Sequence, residues 1–230
     1  MTDVAESTIE LSADDLLTIY YPQAVATSDI QRLATALRKQ GWREVVSGLN
    51  ELTIQFDSAT ELPQQAKARL IDWLEQHQTQ ALLTSSAAQP TIEIPVCYEP
   101  GYALDLEWLN ERLGISAARL MQLHTAQELT VQLIGYLPGF AYCGTNNADL
   151  EIERLTNPRE RVAAGSVGIA NRQTGIYTLP GPGGWPIIGR TPIELFHTDR
   201  QQPAVLLPGH RVRFYAISSD EFEQLSGAPL

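Results

Sequence analysis

The spacing of apolar positions changes character part-way along the chain. Leu17, Ile19 and Tyr21 alternate as on a half-buried strand. Ser28-Asp29-Ile30-Gln31 has the pattern of a capping box. Ile30, Leu33, Ala34 and Leu37 follow it at helical spacing, and Gly41 supplies a stop. Val45-Val46, the turn Gly48-Leu49-Asn50, and then Leu52, Ile54 and Phe56 read as a hairpin. Pro63, a favoured first-turn residue, opens a second helix whose apolar face is Ala66, Leu70, Ile71 and Leu74. Strands and helices in this order predict an α+β domain over residues 1–88, ferredoxin-like in outline.

The uncharged run Gln78–Pro90 turns to small residues and ends in Pro, so its latter part predicts an inter-domain linker. A second domain, residues 89–230, opens on Ile92, Ile94 and Val96, which alternate as a strand. Two short helices follow. Asp105 is placed to cap Leu106, Leu109 and Leu113, with Gly114 as stop; Ser116 is placed to cap Leu120, Leu123 and His124. Beyond His124 the helical period disappears. Leu129, Val131 and Leu133 alternate, and short apolar pieces recur between turn residues at Val167–Ala170, Ile176–Leu179, Ile187-Ile188, Val205–Leu207 and Val212–Ile217. That is the pattern of an antiparallel barrel or sandwich.

With 230 residues the chain can bury sizeable cores without staples. Its formal charge of −11 excludes a non-specific nucleic-acid binder and disfavours docking on an anionic membrane. There is no run of 18 apolar residues and no basic, then apolar, leader, so the expected compartment is the cytoplasm. Cys97 and Cys143 form no C-x-x-C pair; a disulfide is open on count alone, although a chain this long does not need one. The acidic average hides a contrary stretch. Residues 154–213 hold eight Arg against Glu160, Glu194 and Asp199, and ten of the 16 Gly lie between Gly135 and Gly189. Arginine recognises carboxylate and phosphate in bidentate fashion, which makes this stretch a candidate for anion or partner recognition.

No self-sufficient catalytic constellation is visible. Gly181–Arg190 is glycine-rich but matches neither the P-loop nor the dinucleotide fingerprint. The sequence around Ser166 is not a nucleophile elbow, and the four His lack metal-ligand spacing, so no metal site is expected. What stands out is loop chemistry. In Gly135–Gly144, Phe140 and the two tyrosines Tyr136 and Tyr142 are candidates to line a concave wall. Arg159, Ser166, Gln173 and Thr174 are candidates to meet an anionic or amide ligand, and Trp185 and Arg190 bracket another turn.

The run PGFAYCG … NPRERVAAGSVGIANRQTGIYTLPGPGGWPIIGRTPIELF … LPGHRVRF resembles the KipI / allophanate-hydrolase-subunit-1 family, whose best-defined bacterial type is the B-type subunit of the ATP-dependent 5-oxoprolinase. The resemblance is densest over residues 124–214 and extends more weakly over nearly the whole chain. It implies a cyclophilin-like β-barrel after the α+β domain. It also implies an enzyme subunit, inactive alone, in a heteromer that opens 5-oxo-L-proline to L-glutamate with ATP. The expected partners are a paralogous KipA or allophanate-subunit-2-type barrel chain and a LamB/YcsF-type chain. ATP, with Mg2+, would be shared with a partner subunit. On this reading His124, Arg159 and Arg190 are the candidate catalytic residues, and Phe140, Tyr142, Ser166, Gln173, Thr174 and Trp185 the candidate substrate contacts. Alternatives within the resemblance are a KipI-type inhibitor of a sensor histidine kinase and a urea- or allophanate-related hydrolase subunit. Prolyl isomerisation is disfavoured because the R-x-x-x-F-Q-G pattern is missing. The sequence departs from the family at Ala141, Cys143, Ala163, Asn171, Thr178 and Gly181. Of these, Cys143 and Asn171 bear on ligand preference, and Cys143 reads as a small buried residue rather than a nucleophile.

Overall fold

The computed structural model describes residues 7–22, 25, 27–83 and 91–226, with backbone alone for 78–83. The chain divides into two compact units, Met1–Ala88 and Gln89–Leu230.

In the first unit, β1 (Thr8–Ala13), β2 (Leu16–Tyr20), β3 (Glu44–Ser47) and β4 (Glu51–Gln55) form an antiparallel sheet of order β1-β2-β4-β3. The registers Leu17↔Ile54, Ile19↔Leu52 and Val45↔Ile54 put these apolar residues on one face. There they pack with Ile30, Leu33 and Leu37 of α1 (Thr27–Leu37) and Ala66, Leu70 and Leu74 of α2 (Pro63–Leu83). A ferredoxin-like sheet repeats a strand-helix-strand unit with a strand between its two strands. Here β2-α1-β3, with β4 between the strands, is of that kind. The remaining strand is not: β1 precedes the unit and reaches the sheet edge through a hairpin. Its sequence, TIELSA, alternates polar residues with Ile9, Leu11 and Ala13, a strand signal that is not among the expected elements.

One local expectation changes. Helix α1 begins at Thr27, so Ser28 lies inside the first turn, and Gln31 instead accepts a hydrogen bond from Ser47 Oγ at 2.8 Å. The cap position, 26, lies outside the described residues. The first half of the uncharged run 78–90 continues α2 to Leu83; its latter part, 84–90, where the linker is expected, lies outside the described residues.

The second unit is a closed seven-stranded barrel. Its strands are β5 (Thr91–Cys97), β6 (Glu128–Ile134), β7 (Ala141–Gly144), β9 (Ser166–Ala170), β10 (Gln173–Ile176), β12 (Ile187–Arg190) and β13 (Arg211–Ile217), in the order β10-β7-β6-β13-β5-β12-β9. Closure removes free sheet edges. Every pair is antiparallel except β5·β13, which runs parallel from Thr91↔Arg211 to Cys97↔Ile217 and corrects the all-antiparallel expectation. The core collects Ile94, Val96, Val131, Ile169, Ile188 and Phe214 with Leu120 and Leu123 of α4 (Ala117–Thr125). Helix α3 (Leu106–Leu113) precedes α4, and α5 (Ser219–Leu225) follows β13. A short ribbon of β8 (Arg159–Val162) and β11 (Gly181–Gly183) stands apart from the barrel sheet.

Ser116 caps α4 as expected, accepting from Arg119 N at 3.2 Å, and Gly114 ends α3 in the left-handed region. Asp105 makes no cap bond. Its carboxylate is taken by Arg159 (2.5 Å) and by Ile187 N–H (2.6 Å), which ties the start of α3 to β8 and β12. Asn171 and Arg172, at φ 47° and 63°, form the two-residue turn between β9 and β10. Asn tolerates that left-handed conformation better than other residues with a side chain, so the departure at 171 serves the backbone.

Candidate functional site: an aromatic pocket on the barrel wall

Period-2 alternation through β7, β10 and β9 sorts the candidate residues to two sides of the wall. Thr174 is opposite Cys143 and Ile169, and Cys143 and Ile169 belong to the barrel core. The next position, Gly175, is opposite Tyr142 and Gly168 and faces outward. The two glycines leave a hollow on the outer wall. A Cβ on Gly175 would lie 2.6 Å from Phe140 Cζ and 3.1 Å from Trp185 Cε3, and one on Gly168 would lie 3.0 Å from Trp185 Cβ. Aromatic rings fill the missing side-chain space.

The rings meet edge to face, as aromatic quadrupoles favour. Phe140 packs against Tyr177 at 5.0 Å between centroids and an interplanar angle of 89°, and against Trp185 at 6.1 Å and 80°. Tyr142 packs against Trp185 at 5.7 Å, and Tyr136 against Phe140 at 5.6 Å. The turn before β7 makes this possible. Tyr136 adopts φ 71°, Phe140 N–H donates to Leu137 O, and the Tyr136 hydroxyl donates to Pro182 O. Around these rings is a pocket of about 220 Å³, bordered also by Pro158, Gly183, Gly184 and Arg154. The Arg154 guanidinium lies 5.7 Å from the Trp185 ring. Burial pushes the Tyr177 phenol up to about 12 and raises that of Tyr142, and the Arg154 charge offsets each only in part. Both phenols therefore keep their protons at neutral pH. The result is an apolar slot with hydroxyl donors and one cation.

Phe140, Tyr142 and Trp185 come together in this pocket; the other expected site residues are elsewhere. His124 is completely buried at the barrel end, stacked on Phe214. The Tyr98 hydroxyl lies 2.7 Å from its Nδ1, and Thr174 Oγ1 lies 3.0 Å from its Nε2. With Thr174 donating to Asn146 Oδ1 at 3.0 Å, Nε2 carries the hydrogen and Tyr98 donates to Nδ1. Burial holds the imidazole down to about 3, so it is neutral at pH 7 and has no imidazolium proton to give. The expected acid role does not fit this place, and Thr174 belongs to the same buried chain.

Gln173 donates to Gln132 Oε1 at 2.6 Å. Arg159 is bound to Asp105. Arg190 donates from Nε to Ala164 O at 2.8 Å and lies 5.7 Å from the Phe222 ring of α5, while Ser166 is buried opposite it in β9. Polar residue type alone assigns these residues to substrate; the structure uses them to join loops and strands. Arg154 and Tyr177 are the pocket residues that sequence reasoning misses. A signal for each is present: Arg154 opens the arginine-rich stretch, and Tyr177 falls two positions after Gly175, on the same outward face.

The chemistry of the other motifs is also settled by packing. Cys143 and Cys97 are free thiols, both buried, and burial pushes Cys143 up to about 12, which makes it a poor nucleophile. Gly183 packs against the Tyr177 ring, so the glycine-rich turn at 181–184 is filled from within and does not form a phosphate cradle. No group of three or more His, Cys, Asp or Glu converges among the described residues. None of the described helices is long and apolar enough to cross a membrane.

The family model for the carboxyltransferase domain, subdomain C and D, matches residues 7–206. The chain belongs to that family. It is 38% identical to the B-type subunit of 5-oxoprolinase from Escherichia coli O157:H7 over 174 residues, covering 74% of this chain and 76% of that one. It is also 38% identical to the B-type 5-oxoprolinase subunit of Bacillus subtilis (strain 168), covering 57% and 55%. These relatives bear out the family read from the PGFAYCG and AAGSVGIAN runs. Among solved structures, TTHA0988 superposes with a TM-score of 0.74 at 28% identity over 89% of this chain, which spans 40% of the length of that protein. The K. lactis urea amidolyase superposes at 0.73 over 98% of this chain and 16% of its own, at 17% identity, a likeness of fold alone.

Proposed function

We propose that this chain is the B-type subunit of a heteromeric, ATP-dependent 5-oxoprolinase that opens 5-oxo-L-proline to L-glutamate. The observation that carries the reading is the 38% identity, over three-quarters of the chain, to a protein of that name. The pocket is compatible with it: 220 Å³ admits a small ring, and its lining offers donors to acceptor oxygens.

A lactam is a resonance-stabilised amide, so opening it requires activation of the carbonyl, which ATP supplies in such a complex. The glycine-rich turn of this chain does not fit the ATP phosphates, since Gly183 packs against the Tyr177 ring. We therefore assign nucleotide binding to the partner subunits. This chain's own part is to hold the ring against the aromatic wall of Phe140, Tyr142 and Trp185, to orient it through the Tyr142 and Tyr177 hydroxyls, and to exclude water from one face. The expected partners are a paralogous barrel chain and a LamB/YcsF-type chain.

The test is co-expression with the neighbouring paralogue, isolation of the complex, addition of the third subunit, and a glutamate assay. Glutamate that forms only with 5-oxoproline, ATP and all three chains supports the proposal. A stable complex that releases none overturns it and directs attention to urea-like substrates.

A further inference from the structure

We propose that the aromatic pocket beside Arg154 recognises a small ring bearing a carboxylate and no ammonium group, with Arg154 as the carboxylate-binding residue. The choice of 5-oxo-L-proline as one probe rests on the function proposed above; the site itself rests on charge and packing.

Arg154 differs in its bonding from most arginines of its stretch. Arg159 pairs with Asp105, Arg211 and Arg213 with Glu128, and Arg172 and Arg190 donate to the carbonyls of Asn146 and Ala164. Arg154 makes no ion pair or hydrogen bond among the described residues; its contact is the face of Trp185. A guanidinium set over an aromatic ring keeps its N–H edge for a planar anion, which it grips in bidentate fashion. Arg154 is also the one charged residue in the pocket lining, and no carboxylate accompanies it.

That last point separates two kinds of acid. An α-amino acid brings an ammonium that Arg154 repels and that meets no carboxylate in the lining. A lactam acid brings a neutral amide and a second acceptor oxygen for the Tyr142 and Tyr177 hydroxyls. The pocket is thus built to take the closed ring and to release the opened, zwitterionic product. Cyclopentanecarboxylate, which has the ring and the charge but no lactam, is the probe that isolates the site from the reaction.

The experiment is a ligand-observed NMR titration of the full chain, alone and in its complex, with 5-oxo-L-proline, cyclopentanecarboxylate, L-proline and L-glutamate. We expect the first two to bind and the amino acids to bind at least about tenfold more weakly. Arg154→Gln is exposed enough to fold normally, which its melting curve checks; it weakens both ring acids about tenfold or more, and Arg154→Lys recovers part of the loss. Equal affinity for L-proline, or an unchanged affinity in Arg154→Gln, overturns the proposal. The two readings fail separately. Arg154-dependent binding of cyclopentanecarboxylate without turnover removes the function and keeps the site. Turnover whose KM for 5-oxoproline is unmoved by Arg154→Gln removes the site and keeps the function.

Discussion

Single hydrogen atoms at Gly175 and Gly168 set the depth of the pocket. Because Phe140 Cζ lies 2.6 Å from where a Gly175 Cβ would stand, Gly175→Ala must push the ring or the strand aside. We expect a loss of about 1–3 kcal/mol in urea denaturation, with weaker ring-acid binding in the same protein. Residue-scale electrostatics also gives a pH dependence. His124 is held near 3 when folded, against an ordinary value of 6.5. The folded state therefore resists a proton that the unfolded chain accepts. Its contribution is complete above pH 6.5 and is lost as pH falls toward 3, with a slope of about 1.4 kcal/mol per pH unit in between. His124→Gln should flatten this part of a pH series of melting temperatures. An identical slope in the variant would show that other groups carry the acid sensitivity.

Among the elements, the tie between α3, β8 and β12 is the most exposed to mutation. Asp105 is buried, and it joins Arg159 to the Ile187 N–H. Asp105→Ala leaves both donors unpaired and should destabilise the second unit by about 1–3 kcal/mol. Arg159→Met removes a partly exposed partner and should cost less. Chemical denaturation of the two variants decides the order, and a smaller effect for Asp105→Ala would reject the tie. This level also shows what the sequence can disclose. Helices α1, α3 and α4 are legible because Leu33, Leu37, Leu109, Leu120 and Leu123 recur at helical spacing and are buried in the observed cores. Strand β7 is hidden by its short run between turn residues, β8 and β11 by charge and glycine, and α5 by its short, polar sequence. Phe140, Tyr142 and Trp185 are legible as pocket residues because aromatics among glycines need a hollow to occupy. Arg159, Gln173 and Thr174 bond to Asp105, Gln132 and Asn146, local acceptors that a sequence does not disclose.

For the whole molecule, the charge picture changes with the structure. The arginine-rich stretch suggests a basic face for an acidic partner, but five of its eight arginines are engaged with Asp105, Glu128 or backbone carbonyls. The division into two compact units carries its own prediction. Residues 89–230 expressed alone should melt cooperatively and retain ring-acid binding, since the barrel and pocket are complete within them. A non-cooperative transition in calorimetry would show that the first unit is needed for the fold.

The parallel pair β5·β13 has a consequence for biosynthesis. Its two strands open and close the barrel, and the residues they pair are 120 positions apart. During translation β5 emerges early and must wait for nearly the entire remainder of the chain before its neighbour leaves the ribosome. Until then the nascent sheet exposes two unpaired edges, at β5 and at β6, both of which β13 later covers. A stop codon just before Arg211 would make that interval permanent. Its product would be an open, edge-exposed sheet that is a substrate for chaperones and proteases rather than a slightly shorter barrel.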